Sequence, residues 1–157
     1  MKRTITTVDT TSENIIIHKT GDSPDVWTMF FPILPVPASR PRVTRWGVYY
    51  GKRYTTFRKT MEMLLQAVEW PRVFPLGGLL AVSVTFSVPH PKKTKRVAPR
   101  GDVDNYFKTL DSLNKYVWMD DDQIVWTLTV KEYGDPGIHL EIKEIDGIPK
   151  TRALPEM

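Results

Sequence analysis

The chain has 157 residues, 41% of them hydrophobic and 25% charged, a length and balance that suit one domain with its own core. It has no cysteine, which excludes disulfides and thiolate metal sites, and no apolar run approaching the roughly 20 residues of a membrane span. Its formal charge of +4 and pI near 9.3 favour a polyanionic partner.

The N-terminal residues 1–25 are rich in Thr, Ser, Asp and Gly around one short Ile15–Ile17 run, and read as a flexible extension without a signal-peptide core. A first strand is expected over Val26–Phe31. It runs into Pro32, Pro35, Pro37 and Pro41, which forbid regular structure there. Ala38–Lys52 then reads as a basic loop or loose hairpin turning at Gly47. Phe57, Met61, Leu64, Leu65 and Val68 recur at helical spacing, predicting a helix over Thr56–Glu69 stopped by Pro71.

Leu80, Val82, Val84, Phe86 and Val88 alternate as a strand with one apolar face. His90–Arg100 is a loop. Further on, Gln123–Tyr133 and Ile138–Ile145 alternate again around a Gly134-Asp135-Pro136-Gly137 turn, and an antiparallel hairpin is expected. Trp118 and Trp126 read as core. Residues 26–146 form the expected domain, and 147–157 a tail.

Charge is unevenly distributed. No acidic residue lies between Val26 and Met61, where Arg40, Arg42, Arg45, Lys52, Arg53, Arg58 and Lys59 all fall. A second basic block, Lys92, Lys93, Lys95, Arg96 and Arg100, ends just before Asp102. Asp102, Asp104, Asp111, Asp120, Asp121 and Asp122 then crowd together. Cations that grip phosphates beside carboxylates that hold a metal would suit a nuclease. Two solvated charged faces would give the same pattern.

If Asp102-Val103-Asp104 is extended, both carboxylates share one side and Val103 points to the core. Asp104 would cap the following helix, whose Tyr106, Leu110, Leu113 and Val117 form an apolar stripe. Asp104, Lys108, Asp111 and Lys115 lie opposite. Asp120-Asp121-Asp122 would open the next strand. Clustered carboxylates repel unless a cation neutralises them, and oxygen-only ligands suit Mg²⁺ or Mn²⁺. A capped helix with surface ion pairs and an acidic turn is the other reading of the same residues.

Gly-Asp-Val-Asp-Asn-Tyr-Phe-Lys at 101–108, followed by Leu-Asp-Ser-Leu-Asn and Trp-Met-Asp-Asp-Asp-Gln-Ile, closely resembles the RusA family of Holliday-junction resolvases. Arg40-Pro41-Arg42 and the basic loop after it resemble that family's proline- and arginine-rich segment. The likeness covers about residues 27–145. It implies an α+β fold, a small mixed sheet flanked by two main helices, assembled as a homodimer. It also implies a Mg²⁺-dependent endodeoxyribonuclease, with Mn²⁺ as a substitute, acting on branched DNA in the cytoplasm of a bacterial or phage-infected cell. Carried over by position, Asp102, Asp104 and Asp121 are the catalytic metal ligands, Asp120 a minor one, and Lys108 the supporting cation. Arg40, Arg42, Arg45, Lys52, Lys92, Lys93, Lys95, Arg96, Arg100 and Asn105 would contact DNA. The chain departs from the family pattern by one residue fewer between Lys108 and Asp111. A broader flap or fork nuclease and a catalytically inactive junction-binding protein are the rival functions.

Overall fold

The computed structural model describes residues 6–8, 15–20 and 26–148. Its central feature is a mixed six-stranded sheet in the order β1-β2-β3-β8-β6-β7. The strands are β1 (Thr6–Val8), β2 (Ile16–Thr20), β3 (Val26–Phe31), β6 (Leu79–Val88), β7 (Ile124–Tyr133) and β8 (Gly137–Ile145). A separate two-stranded hairpin joins β4 (Arg42–Thr44) to β5 (Gly47–Tyr49). Two helical segments complete the fold: α1 (Lys52–Gln66), and α2 (Val103–Phe107), which continues as a 3₁₀ turn over Lys108–Leu113.

The core lies on one face of the sheet. Trp27, Met29 and Phe31 of β3, Leu80, Val82, Val84 and Phe86 of β6, and Ile138, Leu140 and Ile142 of β8 are all buried there. Helix α1 covers them with Tyr54, Phe57, Met61 and Leu65, spaced three or four apart. The helix has no side-chain cap at its N-terminus, no acidic first turn and no basic last turn. Burial of Phe57, Met61 and Leu65, at about 1.5–3 kcal/mol each, outweighs the ~1 kcal/mol that a cap would add. Packing therefore holds this helix. It begins four residues before the expected Thr56, because Tyr54 extends the apolar stripe by one turn. It also ends at Gln66, short of Glu69, where Trp70 Nε1 donates to the Leu65 carbonyl at 3.1 Å.

Several expectations are corrected. Within residues 1–25, Ile16–Thr20 is a sheet strand paired with β3, and Ile15 and Ile17 are core residues. The short Ile run alternates into the core, so this part of the expected extension belongs to the fold. The rest of that extension, residues 6–8 apart, and the tail from 149 onward lie outside the described residues. Strands β7 and β8 do not form a hairpin. Strand β6 lies between them, parallel to β7 and antiparallel to β8. The Gly134–Pro136 link crosses the end of β6, where Gly134 N donates to Val88 O at 2.9 Å.

Trp126 is half-buried and lies outside the core. A bulge between Leu80 and Ala81 shifts the register, so Trp126 pairs with Ala81 on the sheet's other face. That face has no helix over it among the described residues, and Ile16, Leu128 and Val130 stay exposed on it. No described helix is long and apolar enough to cross a membrane.

Candidate functional site

Residues 102–108 are wound differently from the expected extended pair. Asn105 N and Tyr106 N both donate to the Asp102 carbonyl, at 3.0 and 3.2 Å, so the helix begins at Val103. Asp102 is the residue before the helix, and Asp104 sits inside the first turn, where the helix dipole favours a carboxylate. Neither carboxylate makes the expected capping bond, and Val103 is exposed while Tyr106 carries the burial. The buried ring of Tyr106, bonded through its hydroxyl to the Arg100 carbonyl at 2.8 Å, dictates this winding. The two aspartates thus stand two residues apart at the start of a helical turn, a spacing that does not put side chains side by side as a strand would.

Lys108 connects this turn to the 3₁₀ segment. Its ammonium lies 3.5 Å from an Asp104 oxygen and 3.4 Å from Asn105 Oδ1. Beyond it the backbone tightens to 3₁₀ winding, three residues per turn, which aligns residues i and i+3. Lys108 and Asp111 therefore come onto one ridge despite the shorter spacing between them. Both line a cavity of about 350 Å³ with Asp121, Ser39, Tyr50, Tyr54 and Arg58.

Asp121–Gln123 form a 3₁₀ turn ahead of β7, capped by Asp120, where the sequence suggested a strand opening. An Asp120 carboxylate oxygen accepts from Asp122 N at 3.0 Å, and Gln123 Oε1 accepts from Asp120 N at 2.8 Å. Gln123 also donates to the carbonyls of Leu76 and Gly78, both at 2.9 Å. Asp120 is thereby committed to capping, Asp121 faces the cavity, and Asp122 is exposed. Strand alternation cannot sort these three residues, because the segment is not a strand.

The carboxylates feel one another. Partial burial raises the Asp121 carboxyl above its ordinary range, helped by hydrogen bonding to Asp120 and by the charges of Asp120 and Asp111. Burial also pushes the Tyr54 hydroxyl up, with Asp111 adding to the effect and Arg58 opposing it. Arg58 lies 5.8 Å from the ring centres of both Tyr50 and Tyr54, which pack edge-to-face at 5.7 Å. Asp111 and Arg58 are thus site residues that the sequence motifs did not select. The acid-free run around Arg58 was a signal for one, and helical phase to Lys108 a signal for the other.

Asp102 and Asp104 do not line this cavity. Among the described residues no three His, Asp or Glu side chains stand together as a metal-holding group. The donor chemistry nonetheless fits a hard cation, since the acidic groups here are carboxylates alone.

The cations expected to meet DNA are exposed: Arg40, Arg42, Arg45, Lys52, Lys92, Lys93, Lys95, Arg96 and Arg100. Lys93, Lys95, Arg96 and Arg100 line one shallow depression. Asn105 is half-buried, its carbonyl accepting from Ala38 N at 2.8 Å and its side chain turned to Lys108. Of the histidines, His18 and His139 are brought together beside Glu141 on the sheet's open face, which their distance in sequence did not suggest. His90 stacks edge-on against Tyr133 at 4.5 Å.

An α+β scaffold with an acidic pocket, set among exposed arginines and lysines, is suited to an enzyme that acts on a phosphate backbone. The chain belongs to the RusA family, for the family model described as Endodeoxyribonuclease RusA matches residues 32–143, most of its length. It is accordingly an endodeoxyribonuclease of a family whose members resolve Holliday junctions and are metal-dependent. No curated protein matches the chain.

The raised Asp121 carboxyl has a consequence for stability. Its folded pKa lies above the unfolded value, so its contribution to stability is present at low pH and lost as pH rises through the folded pKa. Asp121→Asn should therefore raise the thermal midpoint at neutral pH in chelator. The gap should close on acidification, as the wild-type carboxyl becomes neutral. Thermal scans from neutral to acidic pH test this, and a gap independent of pH would contradict it.

Proposed function

We propose that this chain resolves four-way DNA junctions by paired phosphodiester hydrolysis that depends on Mg²⁺, with Mn²⁺ able to substitute. The observation that carries the reading is the shared cavity of Lys108, Asp111, Asp121 and Arg58, joined through Lys108 to the Asp102–Asp104 turn. Asp102, Asp104 and Asp121 would hold the cation, with Asp120 a minor contributor beside its capping role. When bound, that cation supplies an activated water and neutralises charge developing on the phosphate. Lys108, held by Asn105, and Arg58, held against two tyrosine rings, bind phosphate oxygens and orient the scissile group. Cleavage in the cytoplasm of a bacterial or phage-infected cell, by a domain spanning about residues 26–146 together with the Ile16–Thr20 strand, completes the proposal.

The function is tested with Asn variants at Asp102, Asp104 and Asp121. Each should lose more than about 100-fold in Mg²⁺-dependent nicking of a synthetic four-way junction. Junction binding measured in Ca²⁺ should persist. Normal nicking by all three would remove this acidic group from the active site, and equal cutting of flaps and forks would favour a broader debranching nuclease.

Binding should rest on phosphate contacts from the basic segments. Changing Lys92, Lys93, Lys95 and Arg96 together to Ala should flatten the salt dependence of junction binding by about 0.9 for each phosphate no longer neutralised. An unchanged slope would take that loop off the DNA surface.

Symmetry suggests the assembly. Two nicks on a two-fold-symmetric junction call for a two-fold-symmetric enzyme, and the open sheet face with Ile16, Leu128 and Val130 offers apolar surface for pairing. Light scattering should give twice the 18.1 kDa chain mass. A monomer that still makes paired cuts would refute the dimer.

A further inference from the structure

The β4–β5 hairpin is built unlike a packing element. Val43 is 80% exposed, Trp46 75%, Val48 58% and Tyr49 53%, so this short ribbon holds its apolar side chains in solvent. Its turn is nevertheless well ordered by local bonds. Thr44 Oγ1 accepts from Trp46 N at 3.2 Å, and the Thr44 hydroxyl donates to Gly47 O at 3.3 Å. Tyr49 Oη donates to the Trp46 carbonyl at 3.3 Å. Gly47 has φ +133°, which a side chain would strain. The Arg45 guanidinium lies 4.6 Å from the centre of the Trp46 ring. An indole is thus displayed at the tip of a braced hairpin.

The base of the hairpin is fastened at the acidic cavity. Gly51 N donates to Ser39 Oγ at 3.2 Å, closing the two ends of the ribbon. Ala38 N donates to the Asn105 carbonyl, tying the segment that leads into the hairpin to α2. Ala38, Ser39 and Tyr50, which flank the hairpin, line the cavity with Asp111 and Asp121. Whatever the tip touches is therefore one short hairpin's length from the cavity.

Charge selects the occupant. No acidic residue occurs from Val26 to Met61, while Arg40, Arg42, Arg45, Lys52 and Arg53 flank the indole. A second copy docked two-fold on this surface would set these cations against themselves. A polyanion carrying flat apolar faces satisfies both features at once, and unstacked nucleobases on a phosphate backbone are that chemistry.

We propose that the β4–β5 hairpin is a branch-point wedge, with Trp46 stacking on bases unstacked where DNA arms diverge and so favouring branched over linear DNA. This rests on the junction-cutting reading above. Stacking of one base on an aromatic ring predicts a loss of about 5- to 150-fold on truncation, confined to branched substrates.

The experiment uses the full chain with Trp46→Ala and Trp46→Phe, and a four-way junction carrying 2-aminopurine at the branch, in Ca²⁺ without turnover. The wild type should prefer this junction to linear duplex and quench the probe. Trp46→Ala should lose both the preference and the quenching while binding duplex as before, and Trp46→Phe should keep most of each. Trp46 is exposed, so circular dichroism and the thermal midpoint should not change. Undiminished junction preference in Trp46→Ala overturns the wedge, as does an equal loss on junction and duplex. A fall in its light-scattering mass would also overturn it, assigning the hairpin to subunit contact. Failure of the wild type itself to prefer junctions refutes the underlying reading before any variant is compared.

Discussion

The geometry of the acidic cavity depends on one anchored point, the backbone of Leu76. Leu76 N donates to the Val117 carbonyl at 2.9 Å, and its own carbonyl accepts from Met119 N and from the Gln123 side chain. Trp118, fully buried between these bonds, donates from Nε1 to Asn114 Oδ1 at 2.8 Å. The return from the 3₁₀ turn is sharp enough to put Lys115 at φ 72°, a conformation uncommon for a side-chain-bearing residue. Lys115 N bonds the Trp118 carbonyl across it. Asp111 lies just before this knot and Asp121 just after it, so the indole's burial brings two distant carboxylates into one cavity. Like charges are held together here by packing, and partial burial first, with the neighbouring carboxylates adding to it, raises the Asp121 carboxyl.

Positive charge enters the same cavity from an unrelated element. Arg58 is carried by α1, which is held to the sheet by its apolar stripe, and the face it turns outward is free for chemistry. The tyrosine rings beside it do two jobs. Tyr54 is part of the core, while Tyr50 belongs to the hairpin's exit, so the guanidinium is held between the core and the hairpin. Lys108 stands across from it, bound to Asp104 and Asn105. Cations from two elements and carboxylates from two turns line one cavity and keep access to solvent.

Much of this was legible in the residues. Strong two-residue alternation in β3, β6 and β8 and the helical stripe of α1 identify the elements, because each buries one face. The Tyr106–Leu110–Leu113–Val117 stripe also survives, since burial phase tolerates the change from α to 3₁₀ winding. Failures occur where pairing is non-local. Gln123–Tyr133 and Ile138–Ile145 look like a hairpin because the turn signal is local, but β6, remote in sequence, takes the place between them. Trp126 is misplaced by one bulge, which no alternation can reveal. At the site, the acidic residues were visible while their backbone was not: Asp102–Asp104 and Asp120–Asp122 are both helical turns, dictated by the burial of Tyr106 and by the Gln123 bonds. Asp111 and Arg58 were passed over because their membership of the cavity is set by packing rather than by motif.

The loop between β6 and α2 is fastened at one end only. Tyr133 Oη donates to Ala98 O, Lys131 Nζ to the carbonyls of Pro99 and Gly101, and Tyr106 Oη to that of Arg100. Four consecutive carbonyls are thus held by side chains of β7 and α2, directly ahead of Asp102. Among the described residues Lys92–Arg96 has no comparable brace, and the hydrogen bonds found there are local ones. Any ligand held by those exposed lysines would have to order them, at a cost in conformational entropy, while the backbone leading to Asp102 is already set. The loop divides its labour along its length: its first half is left adaptable, and its second half fixes the entry into α2.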